Sequence, residues 1–318
     1  WEKMVRRRLF IMRYVGLLDK ISRAIPGGKS HSIEMALQKN KSRDLEGIFS
    51  RTERRIDFTA EENERGMLFL SSVGMTRQDK FICFIIRDGS YDDAVRIKGS
   101  HKLSFRNSPI EIFEPAMLKL AEMGYFVFRM GKTAEKPLTT KHVNVIDYGR
   151  EKFRSDFLDI WLMANCHYSV STDCGLDYIP WMFERPLAVI NTAEVGTMIS
   201  WSDGVITTPK RLYSRTEKRY IGVREQIQKG YIDFSLTTEF EKNSLVFRNL
   251  SPQEIIQAVL EMESVAQRGT WTIGQQCDLQ TKYWDLMAHW KHFNKFHGTI
   301  KGRIGTDILR KDQEWYLA

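Results

Sequence analysis

The sequence predicts an α/β protein in which a parallel sheet carries helices on both faces. Three observations support this. Apolar, β-rich runs alternate with helical patterns between about residues 81 and 190. The runs are apolar nearly throughout rather than at every second residue, as strands covered on both faces require. Each run ends in polar or glycine residues, where the ligand crevice of an open α/β sheet lies.

The elements follow in chain order. Residues 1–25 carry seven Lys/Arg against two acids, and Ile11, Val15 and Leu18 share one helical face. That pattern fits a surface helix of an N-terminal region or a basic interfacial helix on anionic lipid. The apolar run Leu9–Leu18 is too short to cross a bilayer, which needs about 20 residues. The chain begins at Trp1 rather than Met, the start expected of an excerpt or a processed product. After Pro26-Gly27-Gly28 the sequence is polar and irregular to about Arg65, with a helix start at Thr59, which caps ahead of Glu62.

Strands are expected at Phe81–Ile86, Tyr125–Met130, Val143–Ile146, Tyr168–Ser171 and Leu187–Ile190, and helices at Ile110–Met123, Phe157–Asn165 and Leu176–Phe183. Ser251-Pro252-Gln253-Glu254 is a capping box with Pro at the first helical position and opens a last helix. The aromatic-rich remainder, 269–318, is expected to pack back onto the sheet. The organisation read from these signals is an N-terminal part over 1–75, a sheet domain over 76–268 and a helical extension over 269–318.

Composition narrows the function class. With 42% hydrophobic residues, 28% charged residues and only 8 Pro among 318, the chain is globular rather than fibrous or disordered. Its formal net charge of +8 favours an anionic partner. Cys83, Cys166, Cys174 and Cys277 form no CxxC pair, which argues for a reducing, cytoplasmic setting and against a zinc site. His289, His292 and His297 lack an acidic or cysteine partner at ligand spacing, so they read as packing and no metal is expected. Arg and aromatic residues interleave over Lys210–Tyr220, but no nucleic-acid-binding motif accompanies them, so a nucleic-acid partner is not expected.

The residues that could carry chemistry cluster at strand C-termini. Arg87-Asp88 follows the first strand, where a planar guanidinium suits a diphosphate and a loop ion pair is the plainer reading. Arg129-Met130-Gly131-Lys132 ends the second strand with two cations. The segment from Tyr168 to Pro180 runs from strand through a hydroxyl-rich turn into a helix, so Ser171, Thr172, Asp173 and Gly175 form either a phosphate cradle or an ordinary N-cap. Asp147-Tyr148 could read a nucleobase edge and face, or simply make a turn. Asp156 is a candidate sugar or ribose ligand, whereas Asp159 reads as a first-turn dipole partner.

Many short patterns in the same order resemble a family of bacterial glycosyltransferases associated with surface-polysaccharide and lipopolysaccharide gene clusters. They include Ile25-Pro-Gly-Gly28, Phe58-Thr-Ala-Glu-Glu62, Phe81–Tyr91, Phe105-Arg106-Asn107, Gly124–Gly131, Ile146-Asp-Tyr148, Ser155–Asp159, Ser171–Pro180 and Arg185–Asn191. The resemblance spans about residues 25–290. It implies a GT-B-like architecture of two Rossmann-like lobes, here a donor lobe with a heptosyltransferase- or fucosyltransferase-like phosphate turn. The protein would be cytoplasmic or membrane-associated. It would use a nucleotide-diphosphate sugar as co-substrate, a glycan or lipid-linked glycan as acceptor, and no cofactor or obligatory metal.

On that mapping Arg87, Arg129, Lys132, Ser171, Thr172 and Gly175 surround the diphosphate, Asp147 and Tyr148 lie near the base, and Arg106-Asn107 touch donor sugar or acceptor. Asp88, with Asp173 second, is the expected base. Only about 75 residues precede the first strand, too few for an acceptor lobe of ordinary size, so the expectation is either missing upstream sequence or a reduced lobe. A non-catalytic nucleotide-sugar-binding lobe and a GT-B-like sugar-nucleotide epimerase are the competing readings.

Overall fold

The structure is a computed structural model that describes residues 56–90, 100–269 and 278–318, together with 14, 17, 18, 20–22, 24–27, 44, 45 and 47. The chain divides into two compact units, 1–44 and 45–318. In the first, Tyr14, Leu17, Leu18, Ile21 and Ile25 are all exposed. Most of the basic residues on which the lipid-contact expectation rests lie outside the described residues, as does Cys277.

In the second unit, helix α1 (Ala60–Ser72) opens on the expected capping box, with Thr59 and Glu62 each accepting the other's backbone N–H. It leads to strand β1 (Phe81–Ile85), helix α2 (Glu114–Glu122), β2 (Phe126–Arg129), β3 (Val145–Ile146), α3 (Asp156–Asn165) and β4 (Tyr168–Ser171). The chain continues through α4 (Tyr178–Met182), β5 (Leu187–Thr192) and β6 (Val205–Pro209). These six strands are all parallel and lie in the order β6-β5-β4-β1-β2-β3. This is the strand order of a Rossmann-like doubly wound sheet. A seventh parallel strand, β10 (Arg303–Ile304), pairs beyond β6.

Alternate residues of the strands serve two cores, the period of two expected of a pleated strand. Ile82, Phe84, Val127, Val170, Ala188, Ile190 and Ile206 face one core together with Met117 and Leu120 of α2. On the same side lies α7 (Pro252–Arg268), which begins with the predicted Ser251 capping box and Pro252. Phe81, Cys83, Phe126 and Phe128 face the other core with Phe69 of α1 and Trp161 and Leu162 of α3. There α1 crosses α3 in close contact: a Cβ on Gly66 would lie 2.0 Å from Trp161 Cε2, and the same indole donates to Asn63 at 3.1 Å.

Several expectations shift. The strand expected at Val143–Ile146 is confined to β3, and Val143 is 88% exposed. The helix expected over Ile110–Met123 is interrupted at Phe113: a 3₁₀ turn covers Ile110–Ile112 and α2 starts afresh with Pro115 in its first turn, where the missing N–H is not needed. The helix expected over Leu176–Phe183 is a 3₁₀ turn, Gly175–Asp177, followed by the five-residue α4. Its dipole is therefore that of little more than one turn.

Beyond the expected elements, β7 (Arg211–Ser214), β8 (Arg219–Tyr220) and β9 (Leu245–Arg248) form an antiparallel sheet in the order β8-β7-β9. Leu212, Ile221, Phe240 and Leu245 make a small core with this sheet, and Phe105 packs against it. Helix α7 is not the last helix. Helices α8 (Asp278–Met287), α9 (Phe293–Phe296), α10 (Thr306–Lys311) and α11 (Gln313–Leu317) follow Gly269. Tyr283, Trp284, Trp290, Trp315 and Tyr316 bury themselves in the first core, so the aromatic-rich tail does pack back onto the sheet. Between β8 and β9 lie α5 (Val223–Gln228) and α6 (Thr237–Lys242).

Candidate functional site

After β1 the chain crosses to α2 on one face of the sheet, and after β4 it crosses to α4 on the other. Adjacent parallel strands whose connections diverge in this way open a crevice at their carboxyl ends. The topology therefore brings together two segments 85 residues apart. Arg87 donates its backbone N–H to Thr172 Oγ1 at 2.8 Å, and Thr172 returns its own N–H to the Ile85 carbonyl at 3.3 Å.

Within the turn after β4, Ser171 and Thr172 are buried, and Thr172 is spent partly on the Arg87 backbone. Gly175 is exposed, and a Cβ there would meet nothing within 4 Å, so the space above the turn is open. Asp177 folds back so that Oδ2 accepts the Cys174 N–H at 2.9 Å. Burial, with the Asp173 charge second, pushes the Asp177 carboxyl up to about 7. Burial likewise pushes the Cys174 thiol up, which keeps it from acting as a thiolate nucleophile.

Asp173 adopts φ +64°, a left-handed conformation that costs a non-glycine residue about 1 kcal/mol or more. Arg106 holds it there. One guanidinium nitrogen donates to the Asp173 carbonyl at 2.8 Å and lies 3.2 Å from its carboxylate, while Nε is 3.7 Å from Glu194. Thr192, at the end of β5, donates to the same carboxylate at 3.3 Å. Asp173 nonetheless keeps 36% of its side chain exposed, more than any other acid at this end of the crevice.

The segment carrying Arg106 and Asn107 is anchored from beneath. Lys210, the first residue beyond β6, is 2% exposed and donates to the carbonyls of Phe105 at 3.1 Å and Asn107 at 2.6 Å. Burial pulls its amine down to about 7. Asn107 in turn covers the loop after β1: a Cβ on Gly89, whose φ is +89°, would come within 2.7 Å of its amide nitrogen. Gly89 is thus required by both conformation and space.

Arg129 heads a second group. It is 2% exposed and is enclosed by its own chain, at 3.1 Å from Asp147 Oδ1, 3.7 Å from Asp88 Oδ2 and 2.6 Å from the Lys136 carbonyl. Asp147 also accepts the Leu138 N–H at 3.1 Å. Asp88 accepts from the Ser90 hydroxyl at 2.6 Å, the Ser90 N–H at 3.0 Å and the Glu135 N–H at 2.8 Å. These three side chains strap the segment after β2 across the end of the sheet.

Tyr148 lies wholly inside the second core, against Phe69 and Phe153, with its hydroxyl 3.2 Å from the Ser155 carbonyl. The ring face expected to meet a base is therefore turned to the core. Lys132 and Asp156 sit 4.0 Å apart on the flank towards α3, both substantially exposed, and Asp156 also pairs with Arg154 at 2.8 Å.

Among the described residues no group of three or more His, Cys, Asp or Glu is placed to hold a metal ion. His297 is buried, with Nδ1 2.8 Å from the Ser200 hydroxyl and Nε2 3.1 Å from the Gly196 carbonyl. No described helix is long and apolar enough to cross a membrane. Sequence reasoning missed Lys210, Asp177, Thr192 and Glu194. The first was findable, because Val205–Pro209 is a β-rich run and a Lys just past its end lies on the crevice side of the sheet.

No family model matches the chain, and no curated protein matches it. Among solved structures, the crystal structure of a glycosyl transferase family 9 member from Veillonella parvula is similar, at 14% identity and a TM-score of 0.41. The match covers 67% of this chain and 53% of that one, so the chain spans about half the length of that protein.

Proposed function

We propose that this chain is the donor-binding part of a glycosyltransferase that moves a sugar from a nucleotide-diphosphate donor to a glycan or glycolipid acceptor without an obligatory metal. One observation carries the reading. The switch point of a Rossmann-ordered sheet joins Arg87 to the open turn Thr172–Gly175, and these are the segments whose motifs resemble the polysaccharide-cluster glycosyltransferases.

Transfer requires the departing diphosphate to be stabilised and the acceptor hydroxyl to lose its proton as the new bond forms. We assign the first task to Arg87 and to the turn N–H groups other than those of Thr172 and Cys174, which already bond Ile85 and Asp177, because a guanidinium fork and backbone N–H groups both match phosphate oxygens. Arg129 and Asp147 support this site from behind by fixing the loop after β2. Tyr148 is left out of the ligand set because its ring is covered.

Asp173 takes the proton. The expected first choice, Asp88, has both oxygens engaged in the strap, whereas Asp173 is the more open carboxylate and is presented by a strained backbone. Arg106 and Thr192 orient it.

The test is release of nucleoside diphosphate from nucleotide sugars in the presence of acceptor glycan. Asp173→Asn is expected to reduce transfer by about 100-fold or more while nucleotide affinity is kept. Interconversion of free sugar nucleotides without acceptor would favour the epimerase reading, and binding without either reaction would favour a non-catalytic lobe.

A further inference from the structure

Beside the strap formed by Asp88 lies a cleft of about 290 Å³, bounded by Asn107 and Ser108 on one side and by Glu135 and Lys136 on the other, with Glu111 at its edge. Its walls come from the loops that follow β1 and β2, and Ser108 donates its N–H to the carbonyl of Arg87, the residue tied to the turn after β4. Ligand pockets run from about 300 Å³ upward, so this one has room for a single sugar ring rather than a whole nucleotide.

Ser108 is 2% exposed and its hydroxyl has no hydrogen-bond partner. The side-chain oxygen of Asn107 is also buried without a partner. Buried polar atoms left unpaired are uncommon and unfavourable, and two adjacent residues on one cleft wall share the defect. Both atoms can accept a hydrogen bond, and the serine can donate one as well.

The charges lean acidic. Asp88, Glu111 and Glu135 line the cleft with one ammonium, Lys136, 2.7 Å from Glu111; Asp88 lies 3.7 Å from the Arg129 guanidinium and has both oxygens engaged in the strap, so the charge offered to a ligand is chiefly that of Glu135. Such a wall repels phosphate and carboxylate groups and favours partners that donate hydrogen bonds. Hydroxyl groups donate to carboxylates and amide oxygens and accept from serine, all without carrying charge.

We infer that this cleft is a subsite for an uncharged, hydroxyl-rich sugar ring, and that it discriminates against uronic and other acidic sugars. The inference rests on the nucleotide-sugar reading of the neighbouring turn. Together they divide the crevice, with diphosphate against Arg87 and the open turn, and sugar against Ser108 and the acidic wall. The ring belongs either to the donor or to the acceptor, and the two arms of the test separate these sources.

In the first arm the full chain is titrated calorimetrically with UDP, GDP and ADP and with UDP-glucose, GDP-mannose and ADP-glucose. A donor subsite predicts that the hexose conjugate of the bound nucleotide binds about tenfold tighter than the nucleotide alone, as one to two added hydrogen bonds provide. Ser108→Ala is expected to erase that gain, leave nucleoside diphosphate affinity unchanged, and keep or raise thermal stability, since it removes an unpaired hydroxyl. UDP-glucuronate is expected to bind about tenfold more weakly than UDP-glucose, with Glu135→Gln narrowing the difference.

In the second arm, saturation-transfer NMR with methyl α-glucoside tests an acceptor subsite, whose signal Ser108→Ala should abolish. The proposal is overturned if Ser108→Ala changes neither readout, or if acidic and neutral sugars bind equally well. If no nucleotide binds, the glycosyltransferase reading falls and the glucoside arm alone decides the subsite: a signal lost in Ser108→Ala supports it, and absence of signal overturns it.

Discussion

Replacing Arg129 by Met asks whether this arginine acts as a clamp within the protein or as a ligand for phosphate. Its side chain is 3% exposed, between Asp147 at 3.1 Å and Asp88 at 3.7 Å, with a third bond to the Lys136 carbonyl at 2.6 Å. Methionine fills much of the same volume, so the loss is electrostatic: two partly buried carboxylates face each other with no cation between them. Breaking a buried pair by removing one partner costs about 3–5 kcal/mol. Here both acids keep backbone donors, from Leu138, Glu135 and Ser90, which places the loss near the lower end, at about 3 kcal/mol.

Urea denaturation near neutral pH is the assay, and for a domain of this size the loss corresponds to roughly 6–12 °C in melting temperature. Loss of less than about 1 kcal/mol, together with abolished nucleotide affinity, would refute the clamp and make Arg129 a phosphate ligand.

Other expectations concern the supports of the site. Gly66→Ala should destabilise the protein by about 1–3 kcal/mol and shift Trp fluorescence, because its Cβ would meet Trp161 at 2.0 Å; an unaltered melting curve would refute the close crossing. Lys210, pulled down to about 7 by burial, is deprotonated in the folded state while still protonated in the unfolded chain between about 7 and 10.5. Stability should therefore rise across that window, with a slope of up to about 1.4 kcal/mol per pH unit, and Lys210→Met should flatten it. Asp177 works in the opposite sense: raised from 3.8 to about 7, it holds a proton in the folded state that the unfolded chain has lost, so its contribution falls as pH rises through that range. Asp177→Asn should remove this slope in denaturation midpoints measured across the interval.

The sheet was legible because its strands announce themselves. FICFI, FVFR and LAVINT are mostly apolar or β-branched on both faces and YSVS on one, all four are largely buried, and each run reaches polar or glycine residues within a few positions of its end. Capping boxes at Thr59 and Ser251 located two helix starts to the residue. The antiparallel sheet was hidden because β7 and β9 are only four residues long and partly exposed, and each carries an arginine at one end of its apolar pattern. Strand β10 is two residues long and pairs only through its backbone, so no side-chain period reveals it.

At the site, Arg87 and the turn after β4 were readable as strand ends, and parallel order made them neighbours. The role of Arg129 was not readable. Its charge suggested phosphate, and only the fold shows Asp147 and Asp88 closing around it from positions 18 and 41 residues away. Tyr148 failed for the complementary reason: its place beside Asp147 suggested the crevice, but the 3₁₀ turn Tyr148–Arg150 directs the ring to the core.

The central claim, that the β1–β4 switch point holds a diphosphate, is tested most directly by calorimetric titration with UDP, GDP, CMP and ADP on the intact chain and on Arg87→Ala. The account predicts micromolar binding of one diphosphate nucleotide, weakened by about 2 kcal/mol or more in the variant as a charge-assisted phosphate contact is removed. Binding of none of the four, or binding that Arg87→Ala leaves unchanged, would contradict it.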